Sequence, residues 1–221
     1  MKRTDKQLMK VKEYIDQAKD CPEFKELVSK VKAAVSKVTS IQATTKTEKT
    51  YELTYNTLFL AGGACLDHPT ERNILTLMLG VYAWMPTVLK IDDVESSIVQ
   101  VQAAIDHFKD NDDLLDPRSI GHFNNVATYI NHSCVGASKF LHFIFPEKFA
   151  IFDSKICENI RRLCGGEVNI LDSRLFVEYP TPTQELKAFL LYELMVREIA
   201  DDLVTDLRCV EKIIFDGFGQ R

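Results

Sequence analysis

A chain of 221 residues, 46% hydrophobic and 27% charged, is long enough to bury a full core and has the composition of a globular protein rather than a disordered or fibrous one. No stretch reaches eighteen uncharged apolar residues, and the opening residues lack the basic, apolar and small-residue regions of a signal peptide, so no membrane partner and an intracellular location are expected. The formal net charge of −5 argues mildly against nucleic acid, but the charge is unevenly spread. Residues 1–49 carry 12 Lys/Arg against 7 Asp/Glu, residues 50–117 carry 3 against 11, residues 118–166 carry 6 against 3, and residues 167–221 carry 6 against 11. The basic island at 118–166 has the sign needed to meet phosphates while the rest of the surface stays acidic. The six cysteines form no Cys-x-x-Cys pair, no zinc-type spacing with histidine and no four-cysteine cluster. They read as buried free thiols of a reducing compartment, with no metal expected.

Helical periodicity dominates the pass along the chain. Residues 5–19 and 22–38 read as amphipathic helices with lysines on the wet face, and the Thr-, Ser- and Lys-rich residues 39–49 as a loop. A helix over 50–61 is expected to stop at Gly62-Gly63. Asp67 is placed to cap a helix with Pro69 in its first turn, running to about Met85 before Pro86. Residues 94–109 follow as a helix with Ile98, Val101, Ile105 and Phe108 on its apolar face. The acidic run Asp110–Asp116 with Pro117 reads as a solvated loop, since the glycine and glutamate of a calcium-binding loop are missing. Residues 121–132 are a further helix. Ser138 is placed to cap a short helix over 139–145 that Pro146 ends, and Asp153 to cap a helix over 154–163 stopped by Gly165-Gly166. Short extended pieces are expected in 167–180. Thr181, Pro182 and Gln184 have the order of a capping box, opening a helix that carries Leu186, Phe189, Leu190, Leu194 and Ile199 inward, and a last helix covers 205–216. The expected fold class is all-α with at most minor strands. Its lysine-rich helices of 1–49 either stand apart from a larger helical domain over 50–221 or belong to that same domain.

The chemistry concentrates in residues 135–156, VGASKFLHFIFPEKFAIFDSKI. This is a turn at Val135, Gly136, Ala137 and Ser138, a lysine (Lys139) at a helix start, a short apolar helix, and a break at Pro146. An apolar extended piece then leads to Asp153 at the next helix start. Lys139 and Asp153 are fourteen residues apart, and the chain must double back between them. A helix start and partial burial would both favour a neutral amine at Lys139.

This segment resembles the catalytic region of the helix-hairpin-helix DNA glycosylases, most closely the compact proteins of the 8-oxoguanine glycosylase fold. In that family a Val-Gly turn leads into the helix bearing the catalytic lysine, and an apolar strand-like piece delivers the catalytic aspartate. The resemblance implies a helix-hairpin-helix glycosylase-like domain in which Lys139 is the nucleophile and Asp153 its acidic partner. The backbone amides of Val135, Gly136, Ala137 and Ser138 would hold a DNA phosphate. It further implies that the target base is flipped out of the duplex, that a Schiff base forms on the lysine, and that no organic cofactor is needed. This hairpin holds one glycine where the family usually has more, and the lysine-to-aspartate spacing is shorter than in the larger eukaryotic-type enzymes.

Other side chains carry two readings each. Trp84, with Tyr82 beside it, is either a wall for a flipped base or a core aromatic at a helix end. His142, three residues after Lys139, is either a neighbour of the amine or a packed histidine. Lys155 and Arg161, with Arg162, flank Asp153 and either face phosphate or form a solvated face. Two functions follow: a DNA glycosylase/AP lyase acting on damaged or modified duplex, or a catalytically inactive module of the same fold. The second would bind DNA, or a protein partner through the N-terminal helices.

Overall fold

Caps and prolines in the sequence set where most of the helices begin. In the computed structural model, which describes residues 5–38, 46–85, 88–91, 93–171, 173–178 and 180–218, the described residues hold ten helices and one hairpin. They are α1 (Asp5–Ala18), α2 (Pro22–Val35), α3 (Lys46–Asp67), α4 (Glu71–Ala83), α5 (Val94–Asp110), α6 (Pro117–Tyr129), α7 (Cys134–Ile144), α8 (Ser154–Cys164), β1 (Val168–Ile170), β2 (Ser173–Leu175), α9 (Pro182–Leu203) and α10 (Leu207–Phe215). The fold class is all-α, as the periodicity implies. Among the described residues, no helix is long and apolar enough to cross a membrane.

Several ends fall where side-chain chemistry puts them. Asp153 caps α8 by accepting from the Ile156 amide at 3.0 Å, and Gly165 ends it in the left-handed region at φ 77°. Thr181 and Gln184 form the reciprocal capping box of α9, with Pro182 in its first turn. Other ends differ from expectation. Lys46 already lies in α3, and α3 runs through Gly62-Gly63 to Asp67. Thr70 rather than Asp67 caps α4, accepting from the Asn73 amide. Pro86 lies outside the described residues. Pro117 opens α6 under an Asp116 cap instead of belonging to the preceding loop. Leu194 is only half-buried, whereas Leu186, Phe189, Leu190 and Ile199 are buried.

The described residues form two compact units. One lies within residues 42–148 and holds α3 to α7; the other lies within 3–41 and 149–221 and holds α1, α2, α8, the hairpin, α9 and α10. This division runs elsewhere than a boundary at 49/50. In the first unit α5 and α6 pair extensively, and α7 packs on α3, α4 and α6. Its core includes Met78, Val101, Phe108, Phe123, Phe140 and Leu141. In the second unit α1 packs on α9, and α2 on α8, α9 and α10. The apolar stripes of the two N-terminal helices, Val11 and Ile15 on α1 and Phe24, Leu27 and Val31 on α2, are therefore buried in that unit. β1 and β2 pair antiparallel with Val168 opposite Leu175 and Ile170 opposite Ser173.

Candidate active site

Lys139 lies on α7 in the first unit, and Asp153 caps α8 in the second. α7 begins earlier than expected. Ser133 is its cap, accepting from the Gly136 amide at 3.2 Å, and the chain from Cys134 onward is helical. Val135, Gly136, Ala137 and Ser138 are therefore not a turn but the opening of the helix. The Ser138 hydroxyl is fully buried and donates to the Val135 carbonyl at 3.0 Å. Lys139 is the sixth residue of α7, not at the helix start, and it is 9 % exposed. The real turn precedes the helix. Asn131 and His132 are both left-handed, at φ 56° and 55°. The Asn131 side chain accepts from the Lys90 amide at 2.6 Å and donates to the Val88 carbonyl at 2.8 Å. Asparagine is one of the few residues that adopts this backbone readily, which explains how the turn forms without glycine. A hollow of about 550 Å³ opens beside it, lined by Lys90, Asp93, Tyr129, Asn131 and His132 among others.

The three side chains expected at a base pocket divide into two groups. Trp84 and His142 come together through Tyr55 on α3, which sequence reasoning missed. Tyr55 shares a 2.7 Å hydrogen bond with His142 Nε2 and stacks on Trp84 with ring centroids 6.2 Å apart. Phe143 meets Tyr55 at 5.2 Å and Trp84 edge-on at 5.5 Å. His142 is fully buried. Tyr82 belongs elsewhere: its hydroxyl donates to the Ile130 carbonyl at 3.3 Å and it buttresses the start of α7, where a Cβ on Gly136 would lie 2.7 Å from that oxygen. The absence of a side chain at Gly136 thus gives the Tyr82 hydroxyl and the Ile130 side chain room to approach the helix.

In the second unit, the segment delivering Asp153 is buried, has no regular secondary structure and, among the described residues, no strand partner. Phe149, Ala150, Ile151 and Phe152 are all at most 2 % exposed. Two glutamates take the place of a neighbouring strand. The Ala150 amide donates to Glu193 Oε1 on α9 at 2.8 Å, and the Ile151 amide to Glu211 Oε2 on α10 at 3.4 Å. Burial pushes the Glu193 carboxyl up to about 8, against the opposing pull of Arg197. Burial also raises Glu211, opposed by its ion pair with Arg208. A signal existed: Glu193 lies four residues after Phe189 and seven after Leu186, on the core stripe of α9. Lys155 and Arg161 separate. The Lys155 ammonium sits over the Phe215 ring at 3.9 Å, beside a hollow of about 420 Å³. Arg161 lines a different hollow of about 390 Å³ with Arg162 and Arg174.

No protein-family model, curated protein or solved structure matches this chain.

Proposed function

We propose that the chain is a DNA glycosylase with lyase activity that removes an oxidised or otherwise modified base, Lys139 acting as nucleophile and Asp153 as its acidic partner. The observation that carries this is Lys139 itself. It is 9 % exposed within an apolar helix, at the position where the resembling glycosylase segment has its nucleophile. Burial of a lysine side chain to that degree is uncommon.

The chemistry needs an unprotonated amine. With the target nucleotide out of the stack, the Lys139 nitrogen bonds to the sugar C1′ as the glycosidic C–N bond breaks, and the base leaves with that electron pair and takes a proton. The sugar ring then opens to the lysine imine. Loss of a C2′ proton expels the 3′ phosphate, and water releases the lysine. The Asp153 carboxylate stabilises the positive charge that develops on the sugar. The partly exposed rings of Tyr55 and Trp84, with buried His142 bonded behind Tyr55, offer an aromatic face for an extruded base. Phosphate contacts are assigned to the Asn131–His132 turn at the head of α7 and to Lys155 and Arg161.

The test is borohydride trapping with duplexes carrying single modified bases, 8-oxoguanine first, at low salt. A covalent complex is expected for the native chain, none for Lys139→Gln, and a strongly reduced yield for Asp153→Asn, which keeps a capping side chain but removes the charge. No adduct with any lesion tested would overturn catalysis.

A second reading, a binding module without chemistry, is favoured by one observation. The Gly136 amide, expected with its neighbours to meet phosphate, is bonded to the Ser133 cap of α7, and Ser138 is fully buried. Under it, undamaged and damaged duplexes bind alike, with affinity falling steeply as salt rises. A partner protein bound through the N-terminal helices would show no such salt response to DNA.

A further inference from the structure

Buried backbone must find acceptors for its N–H groups, and residues 149–152 have, among the described residues, no strand beside them. The two acceptors found are glutamate carboxyl groups, an unusual choice. Glu193 and Glu211 are 1 % and 0 % exposed, and burying a carboxylate is costly unless it is hydrogen-bonded and paired. Each is so held. Glu193 Oε1 takes the Ala150 amide and Oε2 faces Arg197 Nε at 3.8 Å; Glu211 Oε2 takes the Ile151 amide and Oε1 pairs with Arg208. The two glutamates come from different helices, and they grip consecutive residues two and three positions before Asp153. Phe152, between the grip and Asp153, is wedged against Phe176, Phe189 and Tyr192, with ring centroids 6.4, 6.0 and 5.5 Å away.

We infer that Glu193 and Glu211 are a pair of positioning residues: a clamp of two carboxyl groups on the backbone of Ala150 and Ile151 that fixes where α8 begins and hence where the Asp153 carboxylate stands. A neutral side chain with an acceptor oxygen would serve the same bond, whereas an apolar one would release the segment. The clamp bears on catalysis through the assignment of Asp153 proposed above, but its mechanical part stands without it.

The experiment measures amide hydrogen exchange at Ala150, Ile151 and Ile156 in the full chain for Glu193→Ala, Glu211→Ala, and the Gln and Asp variants of each, with borohydride trapping alongside. In the Ala variants, exchange at Ala150 and Ile151 should rise about tenfold relative to amides elsewhere in α9, the scale of one lost hydrogen bond. Exchange at Ile156, which Asp153 caps, should rise with it. The Gln variants should restore both. The Asp variants keep the carboxyl group but withdraw the acceptor by one carbon, so they should show the same raised exchange and supply the measurement where an Ala variant fails to fold. Where the native chain traps, the trapping rate should fall in Ala and Asp and recover in Gln, with DNA affinity unchanged. Unchanged exchange at Ala150 and Ile151 would overturn the clamp. Raised exchange there with Ile156 and trapping unaffected would overturn the positioning role. A native chain that never traps would sink the glycosylase reading alone, leaving the Ile156 amide to decide whether Asp153 is held.

Discussion

At the scale of single residues, two adjacent glycines separate two meanings of the same amino acid. Gly62-Gly63 reads in sequence as a helix stop, yet both lie within α3. A Cβ on Gly62 would come 1.7 Å from the Phe143 carbonyl oxygen, so the absence of a side chain is what lets α3 lie against α7. A Cβ on Gly63 would meet nothing within 4 Å. The same substitution should therefore act in opposite directions. Gly62→Ala forces the two backbones apart and should cost about 3 kcal/mol or more. Gly63→Ala, on an exposed face, should stabilise by up to about 1 kcal/mol, because alanine loses less conformational freedom in a helix. Urea unfolding of the two variants checks this, and equal effects would mean that α3 and α7 do not approach as described. The consequence reaches the candidate site, since α7 carries both Lys139 and His142, and α3 carries the Tyr55 that binds His142.

At the scale of elements, the cap of α7 decides which residues are available to a phosphate. Ser133 and Ser138 are five residues apart, and each is followed by apolar residues, so periodicity alone does not choose between them. The fold chooses Ser133, because Asn131 and His132 take up the left-handed turn just before it. Ser133→Ala should then cost about 1 kcal/mol, the usual loss for a cap. Ser138→Ala should cost less, since its hydroxyl donates back to a carbonyl one turn earlier and caps no helix start. Thermal melts of the two variants settle the order; a larger loss at Ser138 would restore the later helix start. The contrast shows what was legible. Asp153, Gly165 and the Thr181-Pro182-Gln184 box were readable because capping is local: a few side-chain and amide atoms within one turn decide it. The glycine pair, Tyr55 and the buried glutamates were not, because each is explained by a partner far away in the chain: Phe143 for Gly62, His142 for Tyr55, Ala150 for Glu193 and Ile151 for Glu211. Among the site residues, Lys139 and Asp153 stood out by their order in one short segment. Their surroundings did not, because those come from helices far from that segment.

At the scale of the molecule, the two compact units carry titratable groups of opposite kind, half-buried histidines in one and buried glutamates in the other, and this gives them opposite responses to pH. In the first unit His107 on α5 and His122 on α6 stack with ring centroids 4.4 Å apart; burial lowers both from their ordinary value, and His107 binds the Ser119 hydroxyl at 2.9 Å. Folded, these rings resist a proton that the unfolded chain accepts, so the stability they contribute is present at neutral pH and is lost as pH falls below about 6.5. In the second unit Glu193 is raised to about 8 and Glu211 is raised as well, both by burial. Here the folded chain keeps protons that the unfolded chain releases above about 4.5, so this contribution is complete at acid pH and is lost as pH climbs through about 8. For Glu193 the loss is on the order of a few kcal/mol. The sole tryptophan, Trp84, lies in the first unit and reports on it directly. Its fluorescence midpoint in urea should drop between pH 7 and pH 5. Over pH 5 to 8, amide exchange in α9, corrected for its intrinsic pH dependence, should report falling stability, and Glu193→Gln should flatten that slope while leaving the tryptophan signal unmoved. A single transition in which both probes shift together in the same direction would mean that these histidines and glutamates do not govern their own units.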